Sequence, residues 1–445
     1  PKITSSFKSE ATQERQPDIL VFESDMTDEE YGNWRVELND NTLPKVLVLD
    51  RYWEELAAKK MPSKDREYLN ACYNSGNWLV KSMNQRAITL LRVAREIVKQ
   101  QPEFLEKGLT QLAPGETWLV EPKMVDENPC HWSPGIRMGV QPGGWYHTTE
   151  CFGPVLGVMC VENFEEAIEV QNSSEFGLTG GLHSLDPNEI AQWRERVEVG
   201  NAYINRTTTG AIVRRQPFGG WKDSCVGPGP KAGGPNYVST FLDWTEEGLP
   251  QLRSRPVAET RSVLCRLKSM LGESHVHRLD AAAESYAYWW ANEFSIEHDP
   301  SQVHGETNHF RYRPRPWHLL RFSGAWTGNC TVDSGLIALA CQTVGTQLLL
   351  SSAELDDDLV KFAKSVGAKL VIETNEELVE RLGEMKGGTL RFFGDCDRTQ
   401  FSPASIGNLP ILSSSCLANG RIELLNYLKE QSVSETVHRY GNLFE

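Results

Sequence analysis

Six short blocks between Glu150 and Tyr237 hold the residues best suited by type and spacing to do chemistry. They are Glu150-Cys151-Phe152-Gly153-Pro154, Phe176-Gly177-Leu178-Thr179-Gly180-Gly181, Gly200 through Arg206, Thr209-Gly210-Ala211, Gln216-Pro217-Phe218-Gly219-Gly220 and Ala232-Gly233-Gly234-Pro235. Glycine in such blocks marks positive φ or close backbone approach, and any one block alone reads as a tight turn. On the residues alone, Glu150 reads as a solvated loop acid, and Phe152 and Phe218 as core aromatics. Ten cysteines are scattered with no C-x-x-C pair, which suits reduced thiols in the cytoplasm better than a disulfide framework or a zinc site. The histidines from His275 to His318 stand in no ligand spacing, so no metal is expected.

These blocks must be carried by elements. Gly115 to Gly143 alternates short apolar runs with turn residues and reads as strands and loops. Glu165 to Val170 is expected as a short helix and Gly177 to His183 as a strand. Glu189 to Val197, opened by Asp186-Pro187, is expected as a second helix and Ala202 to Ile204 as a strand. Such alternation predicts an α/β arrangement.

In order and spacing the blocks resemble the final third of an aldehyde dehydrogenase, and more closely the glutamate-semialdehyde dehydrogenase module of the proline utilization A family. The resemblance implies that Glu150 binds the nicotinamide ribose hydroxyls of NAD and that Phe152 packs beside the nicotinamide ring. It implies that Gly210 and Ala211 hold the α-carboxylate of an aldehyde substrate through backbone N–H groups, that Phe218 lines its aliphatic part, and that Asn205 closes the strand beneath. Aldehyde oxidation also needs a thiolate, oxyanion donors and a base to activate water. No cysteine here stands in the family's G-Q-x-C context. Its E-x-G-G-K base motif is absent, since Glu384-Met385-Lys386-Gly387-Gly388 has a different order and place, and no G-x-G-x-x-G follows a strand. No catalytic residue is assigned, and the chain alone is expected not to oxidise aldehydes.

Past Thr245 to Pro250 the composition shifts to Arg, Glu and Ala, marking a new domain. Asp280 to Phe294 predicts a helix whose Tyr286, Trp289, Trp290 and Phe294 face a core. From Phe310-Arg311-Tyr312-Arg313-Pro314 a doubly wound βα series is expected through Leu336–Ala340, Gln347–Ser351, Leu355–Val366, Lys369–Glu373 and Leu378–Leu382. With Asn419 to Leu424 and Glu430 to Asn442, this region resembles the C-terminal domain of long proline utilization A proteins, a non-catalytic relative of the dinucleotide fold.

Residues 1–16 read as a flexible lead-in. Ile19–Phe22 and Trp34–Leu38 suggest a small hairpin, and from Tyr68 to Val98 apolar residues recur at helical spacing. Trp34 to Asp40, Trp78 to Arg86 and Thr89 to Val98 resemble the core-binding region of the sigma-54 class of RNA polymerase factor over about residues 17–109. That resemblance implies an RNA polymerase core as partner, without the promoter-reading elements. A seam is expected near Gly108 to Gly115, so the chain reads as a chimera, and its start at Pro1 suggests a fragment.

The expected fold class is α/β: an aldehyde-dehydrogenase-like segment over 108–246 and a Rossmann-like C-terminal domain over 247–445, behind a mainly helical segment over 17–107. Its 445 residues leave room for several cores. A net charge of -15 argues against a broad nucleic-acid surface, and direct sequence-specific DNA binding is not expected. The sequence has no apolar run of membrane-spanning length and no signal-like start, so a cytoplasmic protein away from membranes is expected.

Overall fold

The computed structural model describes residues 106–126, 131–151, 153–225, 227, 229–242, 244–271, 273–323, 328–394, 401, 406, 409–412 and 415–437, with two short strands, β1 (Leu20–Val21) and β2 (Leu47–Val48). The helical segment expected over 17–107 lies almost wholly outside these residues. β1 pairs in parallel with β2, and the Trp34–Leu38 half of the expected hairpin also lies outside. The chain divides into two compact units, residues 1–160 and 161–445.

In the first unit, β4 (Gly135–Met138) lies between β3 (Thr117–Val120), antiparallel to it, and β5 (Val155–Val158), parallel to it. The helical turn α1 (Trp145–Thr148) falls between β4 and β5 in sequence. The buried Arg137 ties β4 to the preceding segment. Its guanidinium donates to Gly108 O at 2.7 Å and Glu116 Oε2 at 3.2 Å and lies 4.1 Å from the Tyr146 ring centroid.

The second unit begins with α2 (Phe164–Asn172), where Asn163 accepts a cap hydrogen bond from Glu166 N. β6 (Phe176–Gly177) and β7 (Thr179–Leu182) follow. Next come α3 (Pro187–Arg196), capped by Asp186 with proline in its first turn, β8 (Asn201–Ile204) and β9 (Trp221–Lys222). Both helices and β8 fall where the sequence places them, whereas the one strand expected over Gly177–His183 is divided between β6 and β7, which belong to different sheets, and β9 was not expected.

Farther on, α4 (Ala258–Met270) and α5 (Glu273–Trp289), continued by a π turn over Trp290–Phe294, bury Tyr286 and Phe294 in the larger core with Trp289 and Trp290 packed against it. The remaining elements are β10 (Glu306–Pro314), β11 (Trp317–Phe322), α6 (Gly328–Val344), β12 (Gln347–Ser352), α7 (Asp357–Val366), β13 (Lys369–Ile372), α8 (Asn375–Glu384), β14 (Thr389–Phe393), β15 (Ile411–Leu412), α9 (Gly420–Glu423) and β16 (Leu428–Thr436).

A parallel sheet of order β13-β12-β11-β14-β15 forms the doubly wound part. Leu320 and Phe322 of β11 enter the core with α6, while Trp317 and Leu319 enter the core with α8, so helices cover both faces. The series therefore starts at β11 and not at Phe310–Pro314, which belongs to β10 in another sheet. β11 is buried along its whole length, yet it carries His318 and Arg321. Those polar types hid it. Both terminal nitrogens of Arg321 are bonded inside the fold, donating to Ser351 Oγ at 2.8 Å, Glu373 O at 2.9 Å and Asn375 Oδ1 at 2.8 Å.

The second sheet has the order β10-β16-β8-β7. β16 sits between β8, parallel to it, and β10, antiparallel to it, so strands from both sides of residue 246 share one sheet.

Candidate functional site

The candidate site grows from the end of β8. Asn205 takes φ 55° just past the strand, and its side chain closes on Ser184, accepting from the backbone N at 3.1 Å and donating to O at 2.8 Å. The chain then enters the exposed loop 207–214. Arg206 and Arg215, at its two ends, both pair with Glu306 of β10. Gly210 lies within it at φ 82°. A Cβ there would meet nothing within 4 Å, so the backbone conformation and not the space favours glycine. The N–H groups of Gly210 and Ala211 bond to nothing among the described residues.

A buried polar framework holds this loop. Gln216 accepts from Ile212 N at 3.0 Å and donates to Asn308 Oδ1 at 2.7 Å, which Ser434 Oγ also reaches at 2.9 Å. Ser432 Oγ donates to Pro217 O at 2.6 Å. Asn201 donates to Pro217 O and accepts from Gly219 N and Lys231 Nζ, each at 3.1 Å, and Lys231 Nζ also donates to Gly219 O. Phe218 bridges Ala232, and Arg214 N donates to Gly233 O, so the loop and Phe218 lean on the same segment. Phe218 is 39% exposed and is not the core aromatic that its type alone suggests.

Burial pulls the Lys231 ammonium down to about 7, opposed by Glu430. Burial pushes the Glu430 carboxyl up, opposed by hydrogen bonds from Lys231 N and Asn236. Both groups serve the scaffold, since Lys231 is 1% exposed and Glu430 6%.

Glu150 lies in the first unit, exposed and accepting no hydrogen bond among the described residues. Phe152 lies outside the described residues. Burial raises the thiols of Cys151, Cys225, Cys341 and Cys416, the reverse of what an activated nucleophile needs. Among the described residues no group of three or more His, Cys, Asp or Glu could hold a metal ion, and no helix is long and apolar enough to cross a membrane.

Residues 76–246 match the Aldehyde dehydrogenase family. The match begins upstream of the seam expected near Gly108 and so reaches into the stretch expected to be sigma-54-like. The 1-pyrroline-5-carboxylate dehydrogenase of Bacillus pumilus is 42% identical over 109 residues, 24% of this chain and 21% of that protein. Proline utilization A from Corynebacterium freiburgense aligns with 77% of this chain and 31% of its own, at 40% identity and a TM-score of 0.60. The RNA polymerase sigma-54 factor of Caulobacter vibrioides is 40% identical over 114 residues, 26% of this chain and 22% of that protein. The chain thus spans less than a third of the length of each of these relatives. It carries an aldehyde-dehydrogenase-like α/β segment with relatives among 1-pyrroline-5-carboxylate dehydrogenases and proline utilization A.

For NAD, the donor set fits at one end. The unbonded Glu150 carboxylate offers two acceptors to a ribose diol, but the sequence has no glycine-rich phosphate cradle between a strand and a helix. Asn201, Gln216, Lys231 and Glu430 were not singled out from the sequence as site residues. Their one visible signal is that Asn201 and Gln216 stand inside glycine blocks and Lys231 flanks one.

Proposed function

We propose that this chain supplies substrate- and cofactor-facing loops of an NAD-dependent dehydrogenase that oxidises L-glutamate γ-semialdehyde to glutamate in proline catabolism, and that it does not turn over alone. The observation that carries this reading is the pair of unbonded N–H groups at Gly210 and Ala211 in a loop tied at both ends to Glu306. They would hold the substrate's α-carboxylate, with Phe218 against its methylenes. Glu150 would hold the ribose of NAD and Phe152 the nicotinamide face. NAD, when bound, would accept the hydride. The raised thiols support the expectation of no turnover, and the free cysteines support a cytoplasmic setting. The divisions at residues 16, 107 and 246 belong to the same proposal.

Purified chain given NAD and glutamate semialdehyde is expected to form no NADH. NADH formation that Glu150→Ala abolishes would overturn the inactivity. Binding of glutamate, read by calorimetry, should weaken about 10-fold or more in Gly210→Val, because a β-branched residue resists φ 82°. Equal binding would remove the role given to the loop.

A second reading, a transcription module that docks on RNA polymerase core through residues 17–107, is favoured by the identity with a sigma-54 factor. Capture by purified polymerase core tests it, and no capture ends it.

A further inference from the structure

The second unit also holds a cleft of about 490 Å³ whose lining includes no residue of the 207–214 loop. Its walls come from the end of α2, from β9, from the turn before β11, from the end of α8 and from Lys429 on β16. That volume suits a small ligand. Four carboxylates, those of Glu175, Glu198, Asp223 and Glu430, line it together with four cations, Lys222, Lys386, Lys429 and Arg315. The signs balance, which favours a ligand with no net charge.

These groups are not equivalent. Lys222 is spent within the protein: its Nζ pairs with Glu198 at 2.8 Å and donates to Ser174 O at 3.1 Å and to Asn172 O. Lys386 pairs with Glu175 at 3.5 Å, both of them well exposed. Glu430 accepts from Lys231 N and from Asn236 Nδ2, each at 2.7 Å. Lys429 differs. Its Nζ lies 4.1 Å from the Trp221 ring centroid, and among the described residues it makes no hydrogen bond and no ion pair. The ring is itself fixed, since its indole N–H donates to Glu430 O at 2.7 Å. The amine is thus held at the wall of the cleft by an aromatic face, with no acceptor among the described residues to keep it an ammonium. Burial pushes it down to about 8, and the nearby Arg315, Lys222 and Arg313 push the same way, against Glu198. Lys231 titrates lower still, but it is 1% exposed, lines no part of the cleft and donates to Gly219 O and Asn201 Oδ1.

An unpartnered amine that sheds its proton readily, beside room for a small uncharged molecule, is a nucleophile for a carbonyl carbon. We propose that Lys429 captures a small neutral aldehyde in this cleft as a reversible imine. The Nζ lone pair closes a bond on the carbonyl carbon, and the carbonyl oxygen leaves as water with the two amine protons. No oxidant or reductant enters, and the capture is independent of the 207–214 loop and of NAD.

The test gives the full chain propanal with sodium cyanoborohydride, which reduces an imine to a stable propyl-lysine, and follows each lysine by peptide mass mapping. At pH 7.5, Lys429 is expected to be propylated about 10-fold or more faster than Lys386, the exposed lysine of the same cleft, because more of it is neutral. Its rate should also saturate as propanal is raised. Equal rates at the two lysines overturn the proposal. So does a Lys429 rate that stays linear in propanal, the mark of an amine that reacts without a bound aldehyde. In urea the advantage of Lys429 should vanish, and an advantage kept in the unfolded chain would come from neighbouring sequence and not from the cleft, which overturns the proposal as well.

Discussion

At the residue scale, Gly200 is the position least able to accept a methyl group. A Cβ there would lie 1.9 Å from Gly219 O and 2.8 Å from Lys231 Nζ, so the turn carrying Phe218 would have to move. Gly200→Ala is expected to destabilise the second unit by about 1–3 kcal/mol, read from urea unfolding. Lys231→Met would strand Gly219 O and relieve a costly charge at once, so its effect depends on pH. In the folded chain Lys231 titrates at about 7 and Lys429 at about 8, both below the 10.5 of a free lysine. Above those values the unfolded chain binds more protons than the folded one. Stability therefore rises as pH climbs from about 7 toward 8.5, by at most about 1.4 kcal/mol per pH unit for each lysine, and the burial penalty is felt in full below pH 7. Lys231→Met should flatten that rise, and an unchanged slope would contradict a buried ammonium. Glu150, Gly210 and Phe218 stood out in the sequence because their spacing falls in glycine-rich blocks. Asn201 and Gln216 stand in the same kind of block and Lys231 beside one, yet none was given a role, because their meaning lies in partners 16 to 92 residues away.

At the scale of elements, α3 was legible because Asp186 caps it and proline opens it, whereas the Asn163 cap of α2 went unread in the sequence. β11 was not legible, since a strand with His318 and Arg321 inside it breaks the apolar pattern that marks a buried parallel strand. Nor was the insertion of β16 between β8 and β10, a pairing that no local signal encodes. That strand reaches the site through Ser432 and Ser434. Ser432→Ala should cost about 1 kcal/mol and speed amide exchange across residues 205–220, while leaving the doubly wound sheet protected. Exchange confined to other segments would show that β16 does not hold the loop.

For the whole molecule, the reading of an incomplete catalyst has a direct consequence. Mixing the chain with a separate dehydrogenase half that carries an activated cysteine should restore NAD reduction with glutamate semialdehyde, and the restored rate should fall with Gly210→Val. No restoration would count against a complementing role. The α/β class and the aldehyde-dehydrogenase-like segment could be read from motif order. The division into units at residue 160 could not, because it depends on which cores close around which strands.

The place of β16 also bears on how the protein is made. Asn201 is paired with Ser432, and the loop that follows β8 is clamped from that same distant strand. During synthesis the loop leaves the ribosome long before its clamp exists. Contacts this far apart in sequence are also slow to close. A nascent chain stalled before residue 428 should be cut readily by protease at 207–214, and one released past residue 437 should resist.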